Sequence, residues 1–314
     1  MNEYFSEPII REFYALGTLI QFKAYGEKSE QACDMAMNKI AEIENNMSVF
    51  KDCSEVSYIN KNAGIAPVRV STDTYFVIKT AVKYGSMSQG AFDPTIRPVV
   101  RLWGVQTDNA RIPDKNEIDK DIKLVNYKDI ILDDKNCSVM LRNKNQALDL
   151  GAIAKGFAAD EVKSIFSKNA IKSAMIDLGG NIFAMGNKPD DTPWRIGIQD
   201  PLKRRGEFVG IISVTDKSVV TSGNYERYFI NQGKRFHHLI DPVTGNPSEN
   251  GVISATIISD YSIDGDALST CAFVMGLEEG LKLVKSIKGV DAIFITKDKR
   301  IYTTTGIENI FQLA

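Results

Sequence analysis

The sequence predicts an α+β fold carried by one chain-long unit, and three observations predict it. Short stretches of β-formers separated by Gly, Asn and Pro turns dominate residues 173–259. Apolar stripes at helical spacing are gathered before and after that run instead of alternating with single strands. No internal repeat and no low-complexity linker divides the 314 residues. Runs of strands with helices grouped between them argue for α+β over a doubly wound sheet.

Taken in order, LGTLIQFKAY (residues 16–25) alternates and carries β-formers, so it reads as a strand. Residues 29–47 read as a helix, because Ala32, Ala36, Ile40, Ile43 and Met47 recur at steps of three and four. A second helix is expected over 73–85, with Val77, Ala81 and Tyr84 inward. Residues 106–128 are rich in Asp, Asn and Lys and read as a solvated excursion with one short helix. Residues 129–149 suggest a hairpin closing on QALDL, with Asp149 ending a strand and a helix running from Gly151 to Phe166. The strands AMIDL, IFAMG, WRIGI, FVGIISV, SVVTS, RYFI, FHHLI and GVISATIIS follow. Helices over 262–276 and 278–287, the strand DAIFIT and a short pair near Ile301 complete the chain.

Composition excludes several classes. Hydrophobic residues make up 43% and charged residues 25%, ordinary for a globular protein. Basic and acidic residues number 38 and 40, so the net charge of -2 gives no support to nucleic-acid binding. Cys33, Cys53, Cys137 and Cys271 are dispersed, with no C-x-x-C and no nearby histidine, which argues against zinc and suits a reducing compartment. No apolar run reaches the roughly 18 residues of a spanning helix. The start, MNEYFSEPIIREFYALGTLIQF, lacks a basic segment followed by an apolar one. A cytoplasmic protein is expected; an exported lipoprotein whose signal had been removed would read the same.

Four stretches could carry chemistry. GAFDPTIRP (90–98) is either a capped turn with Phe92 in the core or a ligand loop. LDLGAIAKGFAAD (148–160) puts a helix start and Lys155 together, which suits a diphosphate, or is an ordinary capped helix. In SIDGDALSTC (262–271), Asp266, Ser269 and Thr270 share one helical face and offer hard oxygen donors right for magnesium; alternatively Asp264 or Asp266 caps the helix. HHLIDPVTGNP (237–247) holds the only two histidines of the chain. Strand alternation turns His238 and Ile240 to one face and His237 and Leu239 to the other, so one histidine can serve a site as a general base while the other is structural.

Together these segments resemble the ApbE family, the FAD:protein FMN transferases. LGT at Leu16 to Thr18, MSVFKDCSEVSYIN (47–60), GAFDPTIRPVVRLWG, LDLGAIAKGFAAD, IDLGGNIFAMG, HHLIDPVTGNP and DGDALST occur in family order. The resemblance implies a tunnelling-fold-like core of antiparallel strands with packed helices, and a flanking subdomain around 86–148. It implies that FAD is the donor substrate, that a Thr or Ser hydroxyl of an acceptor flavoprotein attacks the FMN-side phosphorus, that AMP leaves and that Mg²⁺ is required. By position, Leu16, Phe50, Ala91, Phe92, Asp93, Asp149, Lys155 and Ile240 are expected to contact FAD. Asp266, Thr270 and the carbonyl of Ala152 are expected to hold the metal, with Ser269 standing where relatives often have a carboxylate. His238 is the expected base. The same motifs suit an FAD pyrophosphatase, with water as nucleophile, and a non-catalytic FAD-binding protein would lack the metal-site residues.

Overall fold

The computed structural model describes residues 7–105 and 107–314. The chain opens with β1 (Ile9–Ala15), β2 (Thr18–Tyr25), α1 (Ser29–Met47), α2 (Glu55–Lys61), β3 (Val68–Arg69) and α3 (Thr72–Met87). It continues with α4 (Arg97–Trp103), α5 (Lys115–Asp121), β4 (Ile130–Asp133), β5 (Ser138–Leu141) and α6 (Ala154–Lys168). The strand-rich run comprises β6 (Ser173–Leu178), β7 (Asn181–Met185), β8 (Trp194–Gln199), β9 (Phe208–Val214), β10 (Lys217–Gly223), β11 (Tyr228–Asn231), β12 (Lys234–His237) and β13 (Val252–Ser259). Helix α7 (Ser262–Lys285), β14 (Asp291–Thr296), β15 (Ile301–Thr303) and β16 (Phe311–Leu313) close the chain.

An eight-stranded sheet in the order β1-β2-β6-β7-β10-β13-β14-β15 is the backbone of the fold, and every neighbouring pair in it is antiparallel. One face is covered by α1, α6 and α7. The expected stripe of α1, Ala32, Ala36, Ile40, Ile43 and Met47, is buried there against Phe22, Ile176 and Phe166. The other face carries the small sheet β16-β9-β8, whose Trp194, Ile196, Ile198 and Ile212 pack on Val219, Ile258, Ile293 and Ile295. A sheet apolar on both faces must be covered on both, which is why β13 is buried along its whole length. The α+β class is as the strand runs indicate.

Within residues 86–148, Val99, Trp103 and Ile118 gather with Ile240 in a small core, while Ile130, Val139 and Leu141 join the main one. No described helix is long and apolar enough to cross a membrane. The stretch read for an export signal begins at residues 1–6, outside the described residues.

Several boundaries differ from expectation. Leu16 does not start a strand: with Gly17 it forms the β1–β2 turn, at φ 52 and 69, and β1 precedes it. Two successive positive φ values give the two-residue turn that matches strand twist. QALDL is not a strand; only Ala147 bridges, in parallel, to Ile96. Helix α6 starts at Ala154 and not at Gly151, because Ile153 sits at φ -148, ψ -26, outside the helical region. The two expected C-terminal helices are α7 on either side of a kink at Gly276.

Candidate active site

The junction of α6 and α7 gathers the expected Lys155, Asp266, Ser269 and Thr270. Gly156 lets the helices cross backbone to backbone: a Cβ there would lie 2.3 Å from the Ser262 carbonyl oxygen. Contact that close lets each helix satisfy the other's unpaired N–H groups. Asp160 on α6 accepts from Ser262 N at 2.8 Å and Ile263 N at 2.9 Å, the start of α7. Asp266 on α7 accepts from Gly156 N at 2.9 Å, in the first turn of α6. Neither Asp264 nor Asp266 caps its own helix, as one local reading held; the cap of α7 comes from 102 residues earlier.

Asp266 is buried, at 4% exposure, and its Oδ1 lies 3.4 Å from Lys155 Nζ. The same ammonium lies 3.4 Å from the Gly151 carbonyl oxygen. Ser269 is fully buried and its hydroxyl is taken up by the Asp266 carbonyl (2.9 Å) and the Ser222 hydroxyl (2.8 Å). Thr270, half-buried, lies 3.3 Å from the same Ser222 oxygen. Among the described residues no three His, Cys, Asp or Glu side chains converge as a metal site. The oxygen donors that meet here are the Asp266 carboxylate and the Thr270 hydroxyl. This all-oxygen set fits a hard cation such as Mg²⁺, which commonly keeps water and phosphate oxygens for its remaining positions.

A second wall comes from GAFDPTIRP and the segment before α6, which are joined by the Asp149 N–H donating to the Pro94 carbonyl at 2.8 Å. Asn60 fixes the neighbouring residue by bonding both Leu148 N (2.6 Å) and Leu148 O (3.0 Å). Asp149 turns one oxygen to Gly151 N (2.9 Å) and the other to Arg97 Nη1 (3.3 Å). Arg97 also lies over the ring of Phe50, 4.9 Å from its centre, and Phe50 is 78% exposed. The guanidinium thus links the two expected ligand contacts Phe50 and Asp149. Sequence reasoning missed Arg97, although it lies inside a quoted motif.

Other expected contacts turn inward. The Phe92 ring is in the main core, and the N–H groups of Phe92 and half-buried Ala91 both donate to Ser88, so only their carbonyls remain for a ligand. Ile240 likewise buries its side chain on Trp103 and Val99. Asp93 accepts from Thr95 N (2.8 Å), Thr95 Oγ1 (2.6 Å) and Tyr127 N (2.8 Å), so its carboxylate holds the loop. Burial pushes that carboxyl above the ordinary range, against the pull of those bonds. A cleft of about 440 Å³ opens beside it, lined by Gly90, Tyr127 and Val243. Leu16, half-buried at its turn, donates its N–H to Glu44 at 3.1 Å.

The two histidines part company where the expected strand FHHLI stops short, because β12 ends at His237. His237 is buried edge-on against Phe273, with Nε2 3.1 Å from the Ser248 carbonyl and Nδ1 accepting Leu239 N at 3.3 Å. Both its nitrogens are occupied. His238 places Nδ1 3.2 Å from the Arg227 carbonyl. A carbonyl can only accept, so Nδ1 carries the hydrogen and Nε2 the lone pair. Desolvation first, then the charge of Arg227, holds the His238 ring down at about 3, with Lys155 contributing in the same direction. The ring is therefore neutral and feels the charge of Lys155. The turn after it is closed by Gly245 at φ 68, whose carbonyl accepts Trp103 Nε1 at 2.8 Å.

Fold and site define the class: an antiparallel α+β protein in which a carboxylate, hydroxyls and a lysine at a helix crossing adjoin a neutral histidine. A family model described as the ApbE family matches residues 16–294, and the chain belongs to that family. An FAD:protein FMN transferase of Treponema pallidum is 37% identical, covering 93% of this chain and 85% of its own. One from Klebsiella pneumoniae is 36% identical over 91% of this chain and 88% of its own. The crystal structure of the ApbE protein of Thermotoga maritima matches with a TM-score of 0.89 at 32% identity, covering 97% of this chain and 99% of its own.

Proposed function

We propose that the protein transfers the FMN moiety of FAD onto a Thr or Ser hydroxyl of an acceptor flavoprotein. The observation that carries this reading is the His238 ring: its Nδ1 is fixed on the Arg227 carbonyl, and Nε2 is left as an acceptor. In the transfer, the acceptor oxygen bonds to the FMN-side phosphorus and its proton passes to His238 Nε2. The bond from that phosphorus to the bridging oxygen breaks, and AMP leaves with the electron pair. Lys155 sets a positive charge where the diphosphate must lie, and Arg97 holds Phe50 and Asp149 in place beside it. Asp266, Thr270 and the Ala152 carbonyl would hold Mg²⁺, which when bound offsets charge on the phosphoryl oxygens. FAD, Mg²⁺ and candidate acceptors can be incubated with the protein and read by mass spectrometry. FMN gained by the acceptor supports transfer; free FMN and AMP with no labelled acceptor would replace it by hydrolysis.

A further inference from the structure

Away from the α6–α7 junction, a cleft of about 360 Å³ is lined by Lys203, Arg205, Tyr225, Glu226, Tyr228 and Arg235. Its walls are the β8–β9 connection, PLKRRGE, and the β11–β12 hairpin. Arg235 lies over the Tyr228 ring, 4.3 Å from its centre, which holds the guanidinium open to solvent. Among the described residues Arg204, Arg205, Arg227 and Arg235 make no ion pair, and Lys203 makes only distant ones, at 3.8 and 3.9 Å. In a chain of net charge -2, this is a local concentration of positive charge without close ion-pair partners.

Its place matters more than its sign. Arg227 sits in sequence between Glu226 and Tyr228, which both line the cleft, and its carbonyl accepts both the His238 N–H (3.1 Å) and the His238 ring (3.2 Å). The cleft therefore ends one residue from the group assigned to receive the acceptor's proton. None of the residues that line it belongs to the set assigned to FAD or to the metal. A protein segment delivering a hydroxyl to His238 must cross the surface beside it.

We infer that this cleft docks the acceptor protein, and that it selects an acidic segment flanking the target Thr or Ser. Exposed arginines recognise carboxylates in pairs of hydrogen bonds, and the tyrosines offer flat faces to the backbone between them. The inference rests on the transfer reading above. Opposite charges steer encounter as well as docking, so the preference should weaken with salt.

The test uses two fluorescent peptides of equal length centred on one Thr, one flanked by Asp and Glu, the other by Ser and Gly. Binding is followed by anisotropy with the whole protein and with Arg205→Glu/Arg235→Glu. The acidic peptide should bind the parent at least ten-fold more tightly than the neutral one at low salt, and the double variant should abolish that difference. FAD affinity should stay within two-fold of the parent. Equal binding of the two peptides, or an acidic preference that survives the double charge reversal, would overturn the inference. A large loss of FAD affinity in the double variant would also overturn it, by assigning the cleft to the nucleotide. Absence of FMN transfer by the parent protein counts against the transfer reading; intact transfer with no acidic preference counts against the cleft alone.

Discussion

Asp160 and Asp266 cap each other's helices: Asp160 on α6 accepts the Ser262 and Ile263 N–H groups that open α7, and Asp266 on α7 accepts the Gly156 N–H at the start of α6. Asp160→Ala leaves two N–H groups of α7 without a partner and should cost about 1–2 kcal/mol, the usual worth of a cap at a helix start. Urea unfolding should show the loss, and Asp160→Asn, which keeps an acceptor, should recover most of it. An unchanged midpoint for the alanine variant would mean that water replaces the cap without cost.

Asp266 has two duties that separate by substitution. Asp266→Asn keeps an oxygen for Gly156 N but removes the charge a cation needs; Asp266→Ala removes both. Transfer that depends on Mg²⁺ should be lost in both variants. Only the alanine variant should lose stability, by about 1–3 kcal/mol for a buried N–H left unpaired. Full FMN transfer by Asp266→Asn would remove it from the metal site.

The histidine pair should divide rate from stability. His238→Ala should slow transfer by roughly 10²–10⁴-fold, the usual worth of a general base, and leave FAD binding in place. His237→Ala should do the opposite, because its ring is buried and bonded at both nitrogens. It should cost about 1–3 kcal/mol through the unpaired Ser248 carbonyl and the emptied contact with Phe273. Acceptor mass gain and thermal unfolding on the two variants check this; a crippled rate in His237→Ala at unchanged folding would exchange the roles.

Acid should destabilise the protein through these same rings. Burial holds His237 at about 4 and His238 at about 3, below the unfolded value near 6.5. Above about pH 6.5 neither state binds the proton and the contribution is complete. As pH falls from there toward the folded values, the unfolded chain takes up protons first. Stability should therefore drop, by at most about 1.4 kcal/mol per pH unit for the buried ring of His237. Unfolding at about pH 7 and about pH 5, for the parent and His237→Ala, measures it. An equal slope in both would place the acid sensitivity in other groups.

What the sequence made legible follows from local physics. The stripe of α1 was readable because five small and apolar residues recur at helical spacing, and all five are buried. β1 was not, because Ile10 and Tyr14 face solvent while Arg11 points partly inward, so the burial of IIREFYA alternates but its residue types do not. The Leu16–Gly17 turn was hidden by a leucine at positive φ, where Asn, Asp or Gly would have signalled it. At the site, motif order identified the segments but not side-chain direction, and so Phe92 and Ile240 were expected at a ligand when their side chains serve the core. The exchange of caps between Asp160 and Asp266 lies more than 100 residues apart in sequence, beyond any local pattern.

The crossing at Gly156 has a further meaning for the chemistry. Where two main chains touch with no side chain between them, the separation is a hard stop set by atomic radii. Lys155 and Asp266 ride on either side of that stop, so their spacing is dimensioned by the backbone and cannot drift as neighbouring side chains change. A site built on such a gauge is tuned by exchanging donors in place and not by sliding one helix along the other.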